Sequence, residues 1–75
     1  MSHRHSILIR SAGRSDARAL ARLAALDSVP PIAGPALIAE VDGELRAALP
    51  LRGGRPIADP FAESEQVVEL LRAAA

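Results

Sequence analysis

The sequence predicts a small α+β domain, a mostly antiparallel sheet built in the order β-α-β-β-β-α and packed with two helices. Three observations carry that expectation. Residues 36–49, "ALIAEVDGELRAAL", are two apolar runs folded back through Asp42-Gly43, a dipeptide suited to a two-residue hairpin turn. Residues 16–26 and 64–75 repeat their apolar side chains at helical spacing. Glycines and prolines fall between these segments and punctuate them.

The first strand is expected in "SILIRSA", residues 6–12, where Ile7, Leu8 and Ile9 run towards Gly13. "DARALARLAAL" then places Ala17, Leu20, Leu23 and Ala24 on one helical face and Arg18 and Arg22 on the other. Gly13 or Ser15 supplies the N-cap, and Asp16 puts a negative charge among the exposed N–H groups of the first turn. Pro30-Pro31 and Gly34-Pro35 cannot continue a helix, so residues 28–35 are a connection.

A type I′ turn at Asp42-Gly43 sets Val41 opposite Glu44, Ala39 opposite Arg46 and Leu37 opposite Ala48. The other sheet face then carries Ile38, Ala47, Leu45 and Leu49. Both faces are apolar, which requires cover on both sides. "RGGR", residues 52–55, turns the chain into a fourth strand, "PIADPF". Pro50 and Pro56 lack an N–H for the ladder, so this strand is expected to be short, bulged or at an edge. "SEQVVELLRAAA" closes the order with a helix that sets Val67, Val68, Leu71 and Ala75 against Glu65, Glu69 and Arg72.

Composition narrows the function classes. Seventy-five residues allow one domain, residues 1–75, which buries only about 60% of its unfolded surface. Residues 1–6 are expected as a flexible tail, and residues 62–75 carry the last helix. With no cysteine there is neither a disulfide nor a thiolate metal site, so packing or a partner chain must supply stability. Nine arginines balance nine acidic residues, which removes the electrostatic case for nucleic acid or an anionic membrane as partner. No apolar run approaches the roughly 20 residues of a membrane span, and a cytoplasmic location is expected.

The segments "ILIRSAGRSDARALARLAAL", "ALIAEVDGELRAALPL" and "RPIADPF" together resemble the N-terminal part of the GNAT N-acetyltransferase superfamily, over about residues 7–61. The resemblance implies a truncated acetyltransferase-like fold. It also implies that a glycine-rich loop after the fourth strand should hold the pyrophosphate of acetyl-coenzyme A on backbone N–H groups at a helix start. That position reads "DPFAESEQVVELL". No glycine follows Gly54, and Glu63 and Glu65 stand about where the pyrophosphate would lie. The tyrosine often used as general acid in that family has no counterpart, because the chain contains none.

Other candidate chemistry is sparse. His3 and His5 form a His-x-His pair with metal-binding spacing, explained equally by a polar N-terminal tail. Arg52 and Arg55 around two glycines could cup an anion, against the simpler reading of a solvated turn. Asp59 before Pro60 could serve as a general base, although a lone carboxylate more often ends a strand. Arg18 and Arg22, and likewise Glu65, Glu69 and Arg72, read as solvated helix faces.

No catalytic, cofactor-binding or metal residue is therefore assigned. The expected function is a non-catalytic GNAT-like module acting in self-association, as a homodimer, or in binding another protein. The alternative is an acetyl-coenzyme A-dependent N-acetyltransferase whose site is completed by a partner chain.

Overall fold

The computed structural model describes residues 6–61 and 64–75. It is an α+β arrangement of a four-stranded antiparallel sheet and two helices. The elements are β1 (Ile7–Ser11), α1 (Ala17–Leu26), β2 (Ala36–Val41), β3 (Glu44–Pro50), β4 (Ile57–Ala58) and α2 (Glu65–Ala74). The strands lie in the order β1-β2-β3-β4, every neighbouring pair antiparallel, so β1 and β4 are the edges.

The helix expected from Asp16 begins at Ala17, because Arg14–Asp16 form a preceding 3₁₀ turn. Asp16 bends back to Gly13: its N–H donates to the Gly13 carbonyl at 3.0 Å, and its Oδ2 accepts the Gly13 N–H at 2.6 Å. At the other end the Val29 N–H reaches the Ala24 carbonyl and the Ser28 N–H reaches the Ala25 carbonyl. This is a Schellman closure, with Ser28 in the left-handed position (φ 56°) where glycine is usual.

The Asp42-Gly43 turn forms as expected, with φ of 53° and 84°, both positive as a type I′ turn demands. Val41 faces Glu44 and Glu40 faces Leu45, but the register then shifts between Ala39 and Glu40. Ala39 pairs with Ala47, not Arg46, and Leu37 pairs with Leu49, not Ala48. A β-bulge takes up Arg46 as the extra residue. Without it the turn would place Arg46 on the face of Ala39, inside an apolar cluster; with it a methyl group takes that place.

The bulge also corrects the division of the faces. Ile38 and Leu45 share a face with Ala48, packed with Leu23, Ala24 and Ile57 beneath α1. Ala47 and Leu49 belong to the opposite face, with Ala39, Val67 and Leu71 beneath α2. One helix thus covers each face, as two apolar faces require. Of the residues expected on the helical faces, Ala17 and Ala75 are exposed, whereas Leu23, Ala24, Val67 and Leu71 are buried. Five of the eleven buried apolar residues described are alanine: Ala24, Ala36, Ala39, Ala47 and Ala48.

The fourth strand is shorter than "PIADPF". Only Ile57 and Ala58 pair, with Ala48 and Ala47, because Pro56 and Pro60 bracket the segment and cannot extend a ladder. The β3–β4 connection spans residues 51–56, with Gly53 and Gly54 both at positive φ. No helix of the described residues is long and apolar enough to cross a membrane.

Candidate functional site

The turn between β4 and α2 is the position at which the resemblance places phosphate recognition. Asp59 leaves the short strand there and is buried. Its N–H donates to the Arg46 carbonyl at 3.0 Å, which ties it to the bulge. Its Oδ2 accepts Arg46 Nη1 at 2.9 Å, its Oδ1 accepts the Phe61 N–H at 2.8 Å, and its carbonyl accepts Ser64 Oγ at 3.0 Å. Arg46 Nη2 also donates to Glu44 Oε2 at 2.6 Å. One residue, through its carboxylate and its backbone, therefore joins the β3 bulge, the turn and the start of α2.

Both Asp59 carboxylate oxygens are committed, so the geometry makes it an organising group for the turn. Among the turn's described residues Pro60 has no N–H, and the Phe61 N–H already serves an internal anion. A cleft of about 730 Å³ opens beside it, and its walls carry Asp27, Asp59, Glu65 and Glu69 against a single arginine, Arg72. Asp27 Oδ2 accepts the Ala58 N–H at 3.2 Å. The described residues of the turn and cleft do not fit the pyrophosphate of acetyl-coenzyme A. Glu63 lies outside the described residues, as do His3 and His5.

The remaining sequence candidates are dispersed. Arg18, Arg22, Arg52 and Arg55 are exposed. Arg22 lines a cavity of about 510 Å³ together with Leu23, Leu26, Leu45 and Arg46. Glu65, Glu69 and Arg72 do share a helix face, and that face walls the cleft. Among the described residues no group of three or more histidine, cysteine, aspartate or glutamate side chains could hold a metal ion.

A second charged cluster lies at the opposite edge of the sheet, on β1 and β2. Arg10 grips Asp16 with two bonds, Nη1 to Oδ2 at 2.8 Å and Nη2 to Oδ1 at 2.9 Å, and reaches Glu40 Oε2 from Nη2 at 2.6 Å and from Nε at 3.2 Å. These bonds to Arg10, reinforced by the Gly13 N–H, pull the Asp16 carboxyl down to about 2. The guanidinium is held still more firmly in its charged form. Sequence reading misses both clusters. Arg10 and Glu40 meet only through strand pairing, and Arg46 reaches Asp59 only because of the bulge.

Large exposed apolar side chains are spread over the surface, with Leu26 and Val29 at the end of α1, Leu51 after β3, Leu70 on α2, and three others on β1 and at the turn. Ile7 and Leu8 are 41% and 52% exposed at the start of β1, and Phe61, the one aromatic residue of the chain, is 83% exposed. Comparison of the chain with protein-family models, with curated proteins and with solved structures finds no match in any of the three.

Proposed function

We propose that this chain is a non-catalytic module, acetyltransferase-like in the order of its elements, that works by associating with protein, either a second copy or another chain. The observation that carries the reading is the contrast between the two sheet edges. β4 is two residues long between prolines, and a strand so guarded does not recruit a neighbour. β1 has five residues, no proline and no lysine, and offers Ile7 and Leu8 to solvent. The order of strands and helices supports the acetyltransferase-like half of the reading. The committed Asp59 turn and its acidic cleft support the non-catalytic half.

Titration calorimetry and thermal shift with acetyl-coenzyme A test the proposal. The expected result is no saturable heat and no rise in Tm, since a ligand that bound only the folded state would raise it. Saturable micromolar binding would overturn the reading in favour of an N-acetyltransferase subunit.

A further inference from the structure

We infer that β1 pairs antiparallel with β1 of a second copy, about a twofold axis beside Ile9, to make one continuous eight-stranded sheet. The inference rests on the association reading and names its partner and register. The hydrogen bonds at both ends of β1 fix which backbone groups point outward. The Asp42 N–H donates to the Ser6 carbonyl and the Ala12 N–H to the Ala36 carbonyl, each at 2.8 Å. Register pairs Leu8 with Glu40 and Arg10 with Ile38 between them. Hydrogen bonding alternates along an antiparallel strand, so the even residues face β2 and Ile7, Ile9 and Ser11 turn their N–H and C=O groups away from the sheet.

Three outward residues, evenly spaced, are self-complementary. With the axis beside Ile9, Ile9 meets its own symmetry mate, and Ile7 meets Ser11 in both directions. Each of these three pairs exchanges two bonds, which satisfies every outward group of both strands. The Ser11 carbonyl takes only a long, exposed 3.3 Å contact from Arg10 Nη1 and keeps a second lone pair for this pairing.

The side chains suit the same register. On the α2 face, Ile7 and Ile9 of both copies form a row of four isoleucines, which covers the exposed Ile7. On the other face, the half-exposed Leu8 lies against the aliphatic stem of the mate's Arg10, whose charge is already paired with Asp16 and Glu40. The edge therefore lacks the unpaired charge that protects exposed strands. Two five-residue strands bury less than the roughly 1,200 Å² at the lower bound of stable interfaces, so the dimer is weak and concentration-dependent.

The chain has no cysteine, so introduced cysteines report the register directly. Hydrogen-bonded partners lie about 5.5 Å apart at Cα, within disulfide range. Ile7 to Ile7, and Ser11 to Ser11, are displaced by four residues, about 14 Å along the strand. Ile7→Cys and Ser11→Cys chains, mixed and oxidised mildly, should give the mixed disulfide dimer, while each alone stays uncrosslinked. Sedimentation of the unsubstituted chain should show a concentration-dependent dimer that Ile7→Lys weakens at least tenfold. Crosslinking of either single variant with itself, or a chain that stays monomeric up to about 1 mM, would overturn the pairing. A monomer would leave the association reading with a different protein as partner. Acetyl-coenzyme A binding would overturn the non-catalytic half of the proposed function without bearing on the pairing.

Discussion

Arg46 Nη1 lies 2.9 Å from Asp59 Oδ2, joining the bulged residue of β3 to the residue that follows β4. The Asp59 side chain is only 8% exposed, and that partner and the Phe61 N–H take the place of the water its oxygens lose. Arg46→Met keeps the aliphatic stem and removes the charge, leaving a buried carboxylate half-served. The expected cost is about 2 kcal/mol, below the usual value for a fully buried pair because Arg46 itself is partly exposed. Urea denaturation should show a lower midpoint at unchanged slope; an unaltered midpoint would mean that the pair contributes nothing.

The Arg10–Asp16 pair predicts an acid limb. The folded-state pKa of Asp16, about 2, lies below its ordinary value of 3.8. Its contribution is therefore fully present above about pH 4 and is lost as pH falls through 2. Asp16→Asn should flatten the loss of stability between pH 4 and 2. NMR titration of the Asp16 carboxyl should give a midpoint well below the usual carboxylate range, and a midpoint near 4 would refute the assignment.

At the hairpin, Gly43 has φ 84° and open space around its missing Cβ, so a substitution there meets backbone strain and no steric clash. Gly43→Val should lower stability by about 1–2 kcal/mol, with Gly43→Asn much milder. Equal melting temperatures for the two variants would remove the type I′ turn as the origin of register.

Ser28 offers the opposite opportunity. It holds the left-handed position of the α1 closure at φ 56°, with its N–H bonded to the Ala25 carbonyl. Ser28→Gly relieves that strain but adds unfolded-state entropy, for a net gain of about 0.5 kcal/mol. For a domain this small the Tm should rise by about 2–4 °C. A fall in Tm would show that the serine side chain supplies more than the backbone strain costs.

Element order was legible because it depends on local chemistry. Asp42-Gly43 sets the turn, the prolines cut β4 to two residues, and the apolar spacing of 17–26 and 65–74 makes two helices. The bulge was not legible. Whether Arg46 is looped out of the ladder depends on Asp59, thirteen residues on, and on how little room α2 leaves above Ala47. A one-residue shift then moved Ala47 and Leu49 to the other face. The candidate site shared this fate: the sequence supplied Asp59, Glu65, Glu69 and Arg72, but Arg46 and Asp27 joined them only through tertiary contacts.

The buried alanines set how this protein would answer to systematic mutation. Ala24 and Ala48 are fully enclosed on the α1 side, Ala39 and Ala47 on the α2 side. A scan that shaves every side chain to alanine would pass over all four and report a core of a few leucines, isoleucines and valines. Yet each is fully enclosed between sheet and helix, so an added carbon there overpacks the core. The informative scan runs the other way, enlarging each residue in turn; sequence drift in this chain is limited less by what can be lost from its interior than by what can be admitted to it.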